Sequence, residues 1–176
     1  LWKKKLNFKK NPKKILLLRP TLGFLAEYFF RNYKDCSIDY LDISEVSIKT
    51  IKSMFNNRIK LLDGNIHYIF SGNFLKKRNY DLIVTNHLLI HCCDVNDTFD
   101  NLKKLLKPKG SMLLTDEINV KYHNPFHINF WDEKILLKIL RKKFSNVKIL
   151  RNSGFKTYST TPFTLRSDNP DFIVEK

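Results

Sequence analysis

The sequence predicts an α/β fold, a mostly parallel sheet with helices on both faces, on three observations. Short apolar runs alternate with amphipathic helical stretches along the chain. Tyr80–Glu117 holds strand, helix and strand in the span of one parallel crossover unit. Near the start, the apolar run Ile15–Leu18 leads through a turn to Gly23 and a helix, the place where open α/β sheets bind ligands.

The elements come in order. Ile15–Leu18 is continuously apolar, as a strand buried on both faces requires. Gly23–Tyr33 reads as a helix with Phe24, Leu25, Tyr28 and Phe29 as its apolar stripe. Cys36–Leu41 is a second strand, and Ser44–Asn56 a helix with Val46, Ile48, Ile51 and Phe55 facing inward. Asn57–Asn65 reads as a connection and Ile66–Phe70 as a third strand. Leu82–Val84 lies in the fourth strand, and Asp97–Leu106 is amphipathic through Phe99, Leu102, Leu105 and Leu106. Lys107–Gly110 reads as a break before a fifth strand, Gly110–Leu114. Asp132 caps a helix over Asp132–Phe144, with Ile135, Leu136, Ile139 and Leu140 inward. Asn146–Leu150 and Asp171–Val174 are the last strands, joined through a hairpin-like connection over Gly154–Thr164.

Length and composition bound the organisation. The 176 residues, 43% of them hydrophobic, suit one domain, 15–176, behind a basic arm or remnant helix, 1–14. The opening on Leu1 rather than Met is what a piece of a longer chain would show. No stretch is apolar enough for a membrane span. Three cysteines, Cys36, Cys92 and Cys93, lack C-x-x-C spacing; they suit buried thiols, a reducing compartment and a cytoplasmic protein rather than a disulfide or zinc framework. The net charge is +15, and seven lysines fall within the first fourteen residues without one acid. Such a run attracts polyanions, or is simply a solvated face of a lysine-rich chain.

The middle of the chain carries a specific wording. Asp81 opens the fourth strand, Leu89 and His91 form a Leu-x-His, and Leu106-Lys107-Pro108-Lys109-Gly110 leads into the fifth strand. This resembles the second half of a class I S-adenosylmethionine (SAM) dependent methyltransferase, where Leu-Lys-Pro-Gly-Gly is usual and Lys109 stands here for the first Gly. The resemblance implies a Rossmann-like SAM-methyltransferase fold of seven strands, with the last strands antiparallel and SAM lying over the strand ends. In that family the first turn reads acid-x-Gly-x-Gly-x-Gly. The corresponding residues are Leu17, Leu18, Arg19, Pro20, Thr21, Leu22 and Gly23, so only the last Gly is kept.

The resemblance implies a site residue by residue. Arg19 would pair with the SAM carboxylate in place of the missing acid and glycines, beside Gly23. Asp42 stands about twenty residues past the glycine turn, where an acid accepts from ribose hydroxyls; equally, Asp42 or Ser44 caps the next helix. Ile43 would pack beside the adenine. Asn73 would accept from the adenine amino group and Phe74 cover its face, or Ser71–Phe74 is a plain turn. Asn86 and His91 would line the methyl side. His87 and His91 are four apart, the spacing of a metal pair on a helix, but without the Glu of H-E-x-x-H no metal is assigned. Thr115-Asp116-Glu117 ends the fifth strand, where acids face a substrate, stay solvated or cap the next element.

Lys121–Phe130 resembles a stretch of small-molecule and sugar methyltransferases through His123, Pro125, His127, Phe130 and Trp131. There His127 is the candidate general base, since an imidazole titrates near neutrality, or it pins its loop by hydrogen bonding. Two functions are open. One is methyl transfer from SAM to an oxygen or nitrogen of a small molecule or sugar. The other is a methyltransferase-like domain without SAM that binds RNA or a protein through its positive charge.

Overall fold

The structure is a computed structural model that describes residues 11–19, 23–62, 79–116, 118, 127–129, 131–150 and 171–176. Its strands are β1 (Lys14–Leu18), β2 (Ser37–Leu41), β3 (Ile59–Leu61), β4 (Tyr80–Asn86), β5 (Leu106–Thr115), β6 (Asn146–Leu150) and β7 (Asp171–Glu175). Its helices are α1 (Phe24–Asn32), α2 (Glu45–Phe55), α3 (Val95–Leu105) and α4 (Glu133–Lys143). The sheet has seven strands in the order β3-β2-β1-β4-β5-β7-β6. The β1, β2, β3, β4 and β5 ladders are parallel, and β7 runs antiparallel to both β5 and β6.

Alternation along the strands builds two cores. Leu16, Leu18, Ile83, Met112 and Leu114 face the side that α3 and α4 cover with Phe99, Leu102, Leu136 and Leu140. Ile15, Leu17, Leu82, Val84 and Leu113 face the side that α1 and α2 cover with Leu25, Phe29, Ile51 and Phe55. The two-residue period of a strand thus places one set of apolar side chains on each face.

Several expectations are corrected. A strand lies at Ile59–Leu61, inside what reads as a connection; the expected strand at Ile66–Phe70 and the connection over Gly154–Thr164 lie outside the described residues. Lys107–Gly110 does not break the chain but belongs to β5. The ladder with β4 shifts register there, from Tyr80 opposite Leu106 to Leu82 opposite Ser111, so Pro108 falls where no regular pair is needed. Phe24, Val46 and Ile135 are exposed rather than inward. Cys92 is buried, but Cys93 is exposed.

The N-terminal end of the sheet is tied by one carboxylate. Asp81 accepts from the Lys13 and Lys14 amides at 3.2 and 2.8 Å and from Lys107 Nζ at 2.8 Å. Asp81 thus holds β1, β4 and β5 together, far along the strands from their ligand-binding ends. Burial alone raises its pKa, but the Lys107 side chain and the two amides outweigh it and hold the carboxyl below the usual carboxylate range. A depressed pKa adds stability that is present above the unfolded-state value and is lost as pH falls through the folded one. Replacing Asp81 with Asn is therefore expected to destabilise the fold by about 1–3 kcal/mol at neutral pH, with the difference from the parent chain shrinking below about pH 4; urea unfolding of both proteins across that range measures it.

Candidate active site

The parallel strands β1, β2, β4 and β5 end side by side, and hydrogen bonds between their first post-strand residues stitch these ends together. The Arg19 amide donates to Leu41 O at 3.0 Å, and the His87 amide donates to Thr115 O at 2.8 Å. Asn86 Nδ2 reaches Arg19 O at 3.4 Å, while Thr115 Oγ1 lies 2.8 Å from Asn86 Oδ1. Asn86 is buried and joins the end of β1 to the end of β5.

Arg19 is the centre of this seam. Its φ is +52°, in the left-handed region that Gly occupies freely and other residues at a cost of about 1 kcal/mol or more. Its guanidinium Nη1 donates to His87 O at 2.6 Å, and that is its one acceptor among the described residues. Burial lowers the Arg19 pKa, while Asp42 and Asp116, both within electrostatic reach, oppose the drop. A guanidinium keeps its charge under such shifts. Gly23, the N-cap of α1, also has positive φ, +83°; a Cβ there would meet Ile51 Cδ1 at 2.8 Å and Phe55 Cε2 at 2.9 Å. The glycine therefore lets α1 sit against α2.

At the end of β2, Asp42 is buried, and its Oδ1 accepts from the Ser44 amide at 3.0 Å. Its Oδ2 lies 3.3 Å from the Tyr40 hydroxyl. Ser44 takes the capping role for α2, accepting from the Ser47 amide at 3.3 Å. Ile43 is exposed between them, as are Phe24 and Val46 in the first turns of α1 and α2.

Beyond β4 the chain turns at His87, whose φ is +47°, into a short 3-10 turn, Leu89–His91. His87 precedes this turn, so the two histidines do not share a helix face. Asp116, at the end of β5, holds the turn: its Oδ2 accepts from the Leu88 and Leu89 amides at 3.2 and 3.1 Å. Its Oδ1 is buried with no hydrogen-bond partner among the described residues. Residues 127–129 lie over the same turn. The Ile128 and Asn129 amides donate to Ile90 O at 2.8 and 3.1 Å, and Asn129 Nδ2 donates to Leu89 O at 3.2 Å and also to Cys92 O. This brings the His127 and His91 rings together edge to face, with centroids 5.5 Å apart.

The structure thus gathers Arg19, Gly23, Asp42, Ile43, Asn86, His91 and His127 at the C-terminal end of the sheet. Asn73, Phe74, His123, Pro125 and Phe130 lie outside the described residues. Leu17, at the position of the family's acid, is fully buried in the core beneath α1 and α2. Two residues with little signal in the sequence organise the site. Asp116 shows there only as one of two acids at a strand end, and nothing in the wording marks Asn129 as the clamp on the 3-10 turn.

A doubly wound sheet with polar and charged residues gathered at its carboxyl ends defines a ligand-binding α/β protein. Comparison with known proteins narrows the class. A family model described as a methyltransferase domain matches residues 21–112, just over half of the chain. The chain belongs to this family, the class I SAM-dependent methyltransferases. A curated relative, malonyl-[acyl-carrier protein] O-methyltransferase 2 of Ilyobacter polytropus, is 27% identical over 95 residues, which are 53% of this chain and 35% of that protein. The match thus spans about a third of the relative's length. Among solved structures, the CurJ carbon methyltransferase superposes with a TM-score of 0.70 at 15% identity, over 98% of this chain and 50% of its own. The N-methyltransferase NodS of Bradyrhizobium japonicum, solved with S-adenosyl-L-homocysteine, gives 0.65 at 15% identity, over 93% of this chain and 76% of its own. Both bear out the seven-stranded fold.

Burial pushes the Asp116 pKa up to about 7, against the lowering effect of the Leu89, Ile90 and Leu88 amides and of Arg19. A carboxyl whose folded pKa lies above its unfolded value stabilises most below the unfolded value, and that contribution is lost as pH rises toward the folded one. Asp116→Asn, which keeps an acceptor for the two amides, is expected to gain stability relative to the parent chain as pH rises from about 4 to 7; paired denaturation curves at those two pH values measure the gain.

Proposed function

We propose that the chain transfers the methyl group of SAM to an oxygen or nitrogen of a small molecule or sugar. The observation that carries this reading is one cluster: a charged Arg19 with donors to spare, a buried Asp42 and the His91–His127 pair, all at the ligand end of the sheet. SAM supplies an electrophilic methyl on sulfur. The residues described suit its parts. Arg19 offers a cation for the carboxylate, and the Asp42 carboxylate, with lone pairs beyond those given to Ser44 and Tyr40, suits the ribose diol. Exposed Ile43, with exposed Phe24 and Val46 in the first turns of α1 and α2, offers an apolar surface for adenine.

Methyl transfer needs the acceptor held in line more than it needs acid or base. His127 is assigned the proton of the acceptor, and His91 and Asn86 the side from which the acceptor approaches. Asn73 and Phe74 complete the adenine side in this reading. The oxygen alternative is supported by the relative's name, an O-methyltransferase. The apolar character of Leu17 favours a second reading: the family's acid for the amino group is missing, so the chain would serve as a basic binding module for RNA or a protein instead.

Isothermal titration with SAM separates the two. The methyltransferase reading expects binding in the micromolar range, weakened at least about tenfold by Asp42→Ala, the loss of roughly one charge-assisted hydrogen bond or more. A folded chain that gives no heat with SAM would leave the binding-module reading standing.

A further inference from the structure

The outer face of α4 carries four exposed cations. Lys134, Lys138, Arg141 and Lys142 are all exposed and line a shallow depression along the helix with half-buried Leu137. At positions i, i+4, i+7 and i+8 they share one side of the helix, about 12 Å long at 1.5 Å per residue. Among the described residues none of the four has an ion-pair partner, whereas Lys143, turned toward α3, pairs with Asp100 at 2.7 Å. The inner face buries the apolar side chains Leu136 and Leu140.

Helix stability does not account for this pattern. Arg141 and Lys142 lie in the last turn, where cations favour the helix dipole, but Lys134 lies in the first turn, where a cation opposes it. Lys134–Lys138 and Lys138–Lys142 are like-charge pairs at i, i+4, each unfavourable by a few tenths of a kcal/mol. The outer face thus concentrates positive charge, while Asp132 and Glu133 supply the acids at the start of the helix. An acidic partner would remove that repulsion.

The geometry favours a protein over a nucleic acid. The α4 sequence contains no aromatic residue on which a base could stack. The aliphatic side chains Leu137 and Ile135 border the cations, one on each side, and Ile135 is 57% exposed. A cationic strip with aliphatic borders is the complement of a helix that presents carboxylates at the same spacing beside apolar residues. We infer that the outer face of α4 is a docking surface for an acidic helix of a partner protein. This goes beyond the methyl-transfer reading and does not depend on it, because α4 contributes none of the proposed SAM contacts.

The test uses the full chain and no cofactor. The probe is a fluorescein-labelled helical peptide with Glu at positions i, i+4, i+7 and i+8 and Leu on the flanking positions. Fluorescence anisotropy is read at low and physiological salt, with a labelled single-stranded RNA in parallel. The variant is Lys134→Glu, Lys138→Glu, Arg141→Glu, Lys142→Glu; the control is Lys49→Glu, Lys52→Glu on the exposed side of α2. Circular dichroism checks that both fold. The proposal expects salt-sensitive peptide binding that falls at least tenfold in the α4 variant and holds in the α2 control. It is overturned if the peptide does not bind, if the α4 variant binds it as well as the parent chain, or if the same four substitutions abolish RNA binding at least as strongly as peptide binding.

Discussion

The ligand end of this fold depends on the backbone of Arg19. At φ +52° the chain leaves β1 in a conformation ordinarily given to glycine, and in that conformation its amide bonds to the end of β2 and its guanidinium to the turn after β4. Lys109, φ +64°, repeats the device before the regular part of β5. Both residues stand where the family's wording has glycine. The backbone shape is thus kept while the side chain is changed, and at Arg19 the change puts a positive charge between two buried acids, Asp42 and Asp116. The φ of Arg19 coincides with these two bonds, and backbone strain of this kind concentrates where ligands bind.

The two ends of the sheet divide the labour. At the N-terminal end, Asp81 gathers two amides and a lysine, and Tyr80 donates to Asp39 at 2.6 Å, so buried polar groups there are satisfied within the protein. At the C-terminal end, satisfaction is incomplete. Asp116 Oδ1 has no hydrogen-bond partner among the described residues, Arg19 uses one guanidinium nitrogen, and exposed Ile43 stands beside Asp42. Buried groups without partners are unfavourable unless something else supplies them. The imbalance between the ends is what a sheet that binds at its carboxyl edge should show, and the family membership supports the same reading.

Much of this is legible in the residues. Continuous apolar runs mark β1, β4 and β5 because parallel strands are buried on both faces, and the capping acid Asp132 marks the start of α4. Periodicity misplaces Phe24 and Val46 because both lie in first turns, ahead of the helix stretches that pack on the sheet; α2 is anchored by Ile51 and Phe55 in its second half. Ile135 reads as inward because it adjoins Leu136, yet the buried stripe of α4 is narrower than the apolar pattern. The strand through Lys107–Gly110 is hidden by Pro and Gly, which a register shift accommodates. The gathering of Arg19, Asp42 and His91 comes from topology once the strands are placed. The role of Asp116 does not, because a carboxylate that accepts amides from a turn 27 and 28 residues away leaves no local signal.

We propose that Arg19 anchors the amino-acid end of the cofactor. The measurement that bears on it most directly compares S-adenosyl-L-homocysteine with 5′-methylthioadenosine, which lacks that end, by titration calorimetry on the parent chain and on Arg19→Gly. Glycine accepts the φ of this position, so the backbone is kept while the charge is removed. The parent chain is expected to prefer S-adenosyl-L-homocysteine by at least about tenfold, roughly 1.4 kcal/mol, and Arg19→Gly to lose this preference while still binding methylthioadenosine. An unchanged preference, or tighter binding of S-adenosyl-L-homocysteine to Arg19→Gly, would contradict it and make Arg19 an obstruction rather than an anchor.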